Sequence, residues 1–333
     1  MFELLRKVCA AHGVTGFEKK AAAVIGKEIE KYTDEQYIDN LGNLIAVKKG
    51  NGNGKKIMLC AHMDEIGLMA TFIEEKGQIR VAPIGGIGFA AIAYTRVLSE
   101  NGVKGIIVPD GKVKPADYAA DKFYIEIGAK DKKEASKKVK IGDVFRFDSD
   151  IIKLGAKKVC GHPLDDRAGC AIVIKIAEAL ADSKLNDDIY YVFSVQEEVG
   201  CRGSKTAAFA IAPDISLAFD VTGTGDTPGA TPMAVEVGAG AAIKIKDSSV
   251  ICDPTLVNEL IDTAKLNKIK YQLEILTYGG TDTSSMQMSG NGSSAGAISI
   301  PSRYIHSGNE LVDLDDLSAC VDLATEYIKG LNK

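Results

Sequence analysis

The chain has 333 residues, of which 46% are hydrophobic and 26% charged, enough to bury a large core and to divide into two domains. A net charge of −5 and a pI near 5.6, with basic residues scattered along the whole length, argue against nucleic acid or another phosphate-rich partner. No stretch reaches the ~18 consecutive apolar residues of a membrane span, and Met1 to Arg6 lack a signal-peptide pattern, so a soluble, cytoplasmic protein without membrane contact is expected.

Seven cysteines, widely spaced and without a Cys-x-x-Cys pair, read as buried small hydrophobes, not as disulfides or thiolate zinc ligands. In chain order, Thr15-Gly16-Phe17-Glu18 has the form of a capping box ahead of an amphipathic helix carrying Ala21, Val24, Ile25 and Ile29. The apolar run 57–60 reads as a buried strand and opens into Ala61-His62-Met63-Asp64-Glu65. From 68 to 158 the pattern changes to short β-like runs separated by Gly- and Lys-rich turns, the expectation for a small inserted β domain. Leu164 then precedes Asp165-Asp166-Arg167 at the start of a helix over 168–181. The run 189–195 ends in Gln196-Glu197-Glu198, 215–219 leads into Asp220, and 297–300 leads shortly to His306. Further helices are expected from Asp253-Pro254 and from Asp313, a further strand over 272–275, and long functional loops over 223–240 and 279–296.

Strands alternating with helices predict an α/β fold, a mostly parallel sheet flanked by helices, with the small β domain inserted. Residues 1–67 and 159–333 would form the main domain. None of the glycine clusters matches a phosphate-binding loop between a strand and a helix.

Adjacent acids emerging from a buried strand are unfavourable unless something positive compensates, and no Lys or Arg precedes Glu197 and Glu198 within six residues. Singly, each element has an ordinary explanation: a His-x-Asp is commonly a satisfied pair, Glu-Glu a solvated turn, Asp-Asp-Arg a helix cap. Together, metal-type groups at four strand ends and one helix start would converge outside the carboxyl edge of an open sheet. Two imidazoles and three carboxylates suit a pair of zinc-like ions about 3.5 to 4 Å apart. Asp165, Glu197, Glu198 and Asp220 would offset the charge of two divalent cations, Zn, Co or Mn.

These segments, with Gly279-Gly280-Thr281-Asp282 and Tyr304-Ile305-His306-Ser307, resemble in order the motifs of the tetrahedral aminopeptidase family, co-catalytic dinuclear metallopeptidases that include glutamyl and deblocking aminopeptidases. The resemblance spans nearly the whole chain. It implies His62, Asp165 and Asp220 around one metal and Asp165, Glu198 and His306 around the other, with Asp165 bridging. Glu197 falls on the general base, Asp64 on the acid that fixes the His62 tautomer, and Asp165–Asp166 on a cis peptide. Also implied are short peptide substrates with a free N-terminus, dimers formed through 68–158, and a tetrahedral dodecamer. His162, Pro163 and His12 depart from the family pattern; both histidines read as structural, His162 alternatively as substrate-facing, and Thr283 departs near the pocket.

Two other functions are weighed. A metal-dependent glycosidase would want ring surface for stacking sugars, and the chain has no Trp and only 6% aromatic residues. A non-catalytic assembly protein would have no need of Glu197. An acid-selective pocket would need a Lys or Arg that sequence does not place.

Overall fold

In the computed structural model, which describes residues 1–52 and 54–332, the strands pair into one eight-stranded sheet, one three-stranded sheet and one closed barrel. The strands before the barrel are β1 (Glu35–Ile38), β2 (Leu44–Lys48) and β3 (Lys56–His62). The barrel contributes β4 (Gly67–Ile73), β5 (Ile79–Ile84), β6 (Arg96–Ser99), β7 (Lys104–Pro109), β8 (Phe123–Glu126) and β9 (Val144–Phe147). After it come β10 (Ile152–Leu154), β11 (Lys158–Gly161), β12 (Asp188–Ser194), β13 (Ile215–Thr222), β14 (Ala241–Lys246), β15 (Tyr271–Ile275), β16 (Ser294–Pro301) and β17 (Glu310–Asp313).

The large sheet runs β1-β2-β12-β3-β13-β16-β14-β15, and its central neighbours β12, β3, β13 and β16 are mutually parallel. Alternation along β3 explains why both faces are covered. Ile57, Leu59 and Ala61 point into one core, shared with the helices Lys19–Ile29, Arg167–Leu180 and Leu314–Leu331, while Met58 and Cys60 point into the other, under the helix Arg202–Ile211. Leu59 is fully buried, so truncation to Ala would cost about 2–5 kcal/mol.

The barrel closes in the order β4-β5-β8-β7-β6-β9 around Leu68, Ile79, Val97, Phe123 and Phe145, and closure leaves no free strand edge. It is fastened to the main sheet's side by Arg146. The guanidinium donates to the Cys9 carbonyl at 2.8 Å and the His162 carbonyl at 3.1 Å, and faces Glu65 at 3.3 Å.

Two local expectations need correction. The Thr15 hydroxyl does not cap a helix: the helix begins at Lys19 after Glu18, and Thr15 Oγ1 donates instead to Asp64 Oδ2 at 2.8 Å. The stretch 279–296 is not one loop, since a short helix, Asp282–Gln287, and the start of β16 lie within it; Thr281 caps that helix.

Candidate active site

Each sequence-predicted group lies at the carboxyl edge of the sheet. His62 ends β3, Asp220 lies near the end of β13, and Glu197 and Glu198 follow β12 after a turn at Gln196, whose φ is +57°. His306 follows β16 with φ +61°. Asp165 immediately precedes Asp166, the cap of the helix Arg167–Leu180, and the peptide between them is cis, as is His162–Pro163. Adjacent parallel strands thus deliver groups remote in sequence to one place.

The Asp165 carboxylate divides between two imidazoles. Its Oδ1 lies 3.0 Å from His62 Nε2 and its Oδ2 3.3 Å from His306 Nε2. Asp220 Oδ1 approaches His62 Nε2 at 3.8 Å, and Glu198 Oε2 approaches His306 Nε2 at 3.2 Å. Ligand atoms of His62, Asp165 and Glu198 lie within 4.8 Å of one another, as do those of His62, Asp166 and Asp220. Both Asp166 oxygens are already engaged, Oδ1 with the Gly169 N–H at 2.9 Å and Oδ2 with the His62 N–H at 3.2 Å. Asp165, by contrast, turns both of its oxygens toward imidazoles.

The electrostatics ask for positive charge. Burial pushes the Asp220 carboxyl well above the usual carboxylate range, with Asp165 and Asp282 adding to it against His62. Burial and the Asp165 charge likewise raise Glu198, whose Oε1 is buried without a hydrogen-bond partner. Burial alone would lower His306, yet Asp165 and Glu198 override it and raise the imidazole to about 12. Carboxylates and imidazoles with an orphaned oxygen among them form a donor set that fits divalent cations.

Glu197 stands beside this set. Burial pushes its carboxyl well above the usual range, His62 opposes, and Asp220, Asp282 and Glu198 add to the rise. Its backbone N–H is held by Asp64 Oδ1 at 3.0 Å, and that of Glu198 by Asp64 Oδ2 at 3.3 Å. Asp64 Oδ1 also faces His62 Nδ1 at 3.5 Å, although the nearer acceptor to that nitrogen is the Asp64 carbonyl at 3.2 Å. One buried acid thus links the histidine to the glutamate pair.

Four further residues at the site were given no role there by the sequence reading. Glu310 Oε2 accepts the Leu164 and Asp165 N–H groups at 2.6 and 2.9 Å, and Oε1 accepts that of His306 at 3.1 Å. Asp282 accepts Ser194 and Ser204 hydroxyls at 2.5 Å each, and the Cys201 thiol lies 3.2 Å from Glu197 Oε1. Thr15 holds Asp64, as described. The signals were faint: Glu310 is merely an acid heading the apolar pair Leu311-Val312. His162 is fully enclosed, with Nε2 3.2 Å from Glu65 and Nδ1 3.7 Å from Glu310, and His12 is buried outside the cluster. His162 does not line the cleft, which answers the substrate-facing alternative.

The cluster lines a cavity of about 760 Å³ whose wall also includes Thr222, Leu276, Tyr278 and Arg303. Among the described residues no helix is long and apolar enough to cross a membrane.

A mixed α/β sheet with a satellite barrel and an imidazole–carboxylate centre at its carboxyl edge defines an α/β enzyme whose site suits divalent cations. The chain belongs to the M42 glutamyl aminopeptidase family, whose profile matches residues 42–323. A protein of Acetivibrio thermocellus is 48% identical over 98% of each chain. The structure superposes on an aminopeptidase of the archaeon Desulfurococcus kamchatkensis with a TM-score of 0.94 and 36% identity, covering 99% of this chain and 94% of that one. It also superposes on the TET1 peptidase of Pyrococcus horikoshii, which assembles into a tetrahedron or a large octahedral shell, with a TM-score of 0.88 and 32% identity over 97% and 98% of the two chains.

Proposed function

We propose that this protein is a dinuclear metallo-aminopeptidase that removes N-terminal residues from short peptides. The observation that carries the reading is Asp165, one buried carboxylate whose two oxygens face two different imidazoles. His62, Asp165 and Asp220 would hold one divalent ion; Asp165, Glu198 and His306 would hold the other. With Glu197, these acids supply four negative charges against four positive, which offsets the repulsion that burial imposes on them.

Bound ions of this kind supply Lewis acidity, lowering the pKa of a water from 15.7 to about 7 and polarising a carbonyl. The chain's own part is proton transfer and positioning. Glu197, beside the ligand set and not needed within it, takes the proton of the attacking water and returns it to the leaving amine. Asp64 fixes the backbone that carries this base and presents an acceptor to His62 Nδ1, so that Nε2 faces the centre unprotonated.

The family's assembly extends to this chain as part of the proposal: residues 68–158 form a dimerisation domain, and dimers build a hollow dodecamer that admits short peptides. The relative from Pyrococcus horikoshii supports the assembly reading. A stable monomer in light scattering at micromolar concentration would remove the assembly claim.

The test of the activity is a panel of aminoacyl anilides given to metal-stripped protein reconstituted with Zn, Co or Mn in turn. Hydrolysis restored by at least one metal and abolished by chelation is the expected result. Inactivity with every metal on every anilide and on short peptides would overturn the reading.

A further inference from the structure

Outside the proposed ligand set, the charge of the cleft lining is matched. Val221, Leu276, Tyr278 and Ile305 contribute apolar groups to that lining, beside the hydroxyls of Thr222, Thr224, Thr227 and Ser302. Arg303 is the only lysine or arginine among the described residues that line the cleft. Its acids, Asp165, Glu197, Glu198 and Asp220, all belong to the centre already described.

Arg303 is not free. Its Nε donates to Asp226 Oδ1 at 3.0 Å and its Nη2 to Asp226 Oδ2 at 2.6 Å, the two-pronged geometry in which a planar guanidinium and a carboxylate match best. Asp226 is itself fixed, because Thr224 Oγ1 donates to Oδ1 at 2.7 Å and the Val237 N–H to Oδ2 at 2.9 Å. Each carboxylate oxygen therefore has two donors. The hydrogen bonds from Arg303 hold the Asp226 carboxyl well below the usual carboxylate range, so the pair stays ionised at any working pH. The two side chains are only 22% and 12% exposed, which keeps water from screening them apart.

We propose that Asp226 is a specificity-determining residue: by pairing with Arg303 it leaves the cleft wall electrically neutral, so the preferred N-terminal residue is uncharged and apolar. This rests on the aminopeptidase reading and goes beyond it by naming the substrate class. An acidic side chain entering the cleft sheds its hydration against a guanidinium whose charge is already matched. A basic side chain meets no acid outside the metal-binding set. A side chain the size of leucine or methionine loses only ordered water and buries apolar surface. The family description names glutamyl residues, and this wall departs from what recognition of a carboxylate requires.

The experiment compares metal-loaded wild type with Asp226→Asn, which keeps the shape of the acid but leaves the guanidinium charge unmatched. Two readouts are taken: kcat/KM on leucyl, glutamyl and lysyl anilides, and calorimetric binding of free L-leucine and L-glutamate. Wild type is expected to favour leucyl over both charged substrates by about tenfold or more, and Asp226→Asn to raise the glutamyl-to-leucyl ratio by about tenfold. Arg303→Met should not raise that ratio, because no cation is left to unmask. A wild-type preference for glutamyl, or a folded Asp226→Asn with an unchanged ratio in both readouts, would overturn the proposal. So would an equal glutamyl gain in Arg303→Met, which would point to a loosened wall. Should Asp226→Asn fail to fold, the wild-type ratio and Arg303→Met decide alone, and a selective loss of glutamyl turnover in Arg303→Met counts against the proposal. If no anilide is cleaved while leucine still outcompetes glutamate for the cleft, the aminopeptidase reading fails and the neutral wall stands.

Discussion

Glu310 Oε2 accepts the backbone N–H of Asp165 at 2.9 Å, and the opposite oxygen of the same carboxylate accepts that of His306 at 3.1 Å. Asp165 arrives on the approach to a helix and His306 on the return from β16, so the ladder of the eight-stranded sheet does not fix one against the other. Glu310 does. It is fully buried at the start of β17, and β17 pairs with β11, the strand that leads into the Asp165 segment. The two segments that carry the proposed ligands are therefore joined from behind by a residue outside the proposed ligand set.

That arrangement predicts a metal-affinity phenotype for a residue outside the ligand set. Glu310→Ala should weaken binding of divalent ions by about 10–100-fold, since supports of this kind orient the ligands. Calorimetric titration of zinc into the metal-free variant would check it. Affinity equal to wild type would mean that the strand pairing alone positions Asp165 and His306.

The division of labour proposed for Glu197 and Glu198 leads to a different expectation. Glu197→Gln should keep its metals, because its carboxylate is not needed as a ligand, yet lose about 10²–10⁴-fold in kcat through the missing proton transfer. Metal content by mass spectrometry and turnover on one anilide separate the two effects. Glu198→Gln should fail in the opposite order, losing metal first. Near wild-type turnover of Glu197→Gln would remove its assignment as the base.

Why some of this was legible in the sequence and some not has a physical basis. His62, Asp220 and the Glu197–Glu198 pair stand at the ends of buried strands, and a polar group abutting an apolar run is visible in one dimension. Strand β1 could not be read, since all four of its residues are exposed and carry no burial alternation. The helix Arg202–Ile211 starts from Cys201 in a left-handed conformation with no side-chain cap, so the usual start signal is missing. Thr15 misled for the converse reason: its spacing to Glu18 satisfies a local rule, but a tertiary partner, Asp64, takes the hydroxyl. The Arg303–Asp226 pair, 77 residues apart, becomes a pair only when two loops meet at the cleft.

Metal removal should be felt in stability as well as in rate. The centre brings Asp165, Glu198 and Asp220 together, and burial raises the last two, so without cations the folded state carries their repulsion. Binding to the folded state alone adds about 2.7 kcal/mol at free metal one hundred times Kd. The melting temperature should therefore climb with the logarithm of added zinc in wild type. In Asp165→Ala, which removes the acid facing both imidazoles, the climb should be largely lost. A flat response in wild type would show that the folded chain has no such site.

His162 gives a prediction with a definite pH sign. Burial would lower its pKa, but Glu310 and Glu65 override burial and raise it to about 9, so the folded protein holds a proton that the unfolded chain releases near 6.5. Between those values the folded state binds more protons, hence stability falls as pH rises; the contribution is complete below about 6.5 and gone above about 9. Two and a half pKa units correspond to roughly 3 kcal/mol for this fully enclosed group. The partner Glu65, held down to about 2 chiefly by Arg146 and His162 against its burial, reports the same ion pair from the acid side, and the two contributions are not summed. His162→Gln should therefore unfold at clearly lower denaturant than wild type at pH 6, with the gap closing toward pH 9. Urea titrations of the metal-free proteins at pH 6, 7.5 and 9 would measure it. A gap that stays constant across that range would mean that the imidazole is neutral in the folded protein and acts only by filling space between Glu65 and Glu310.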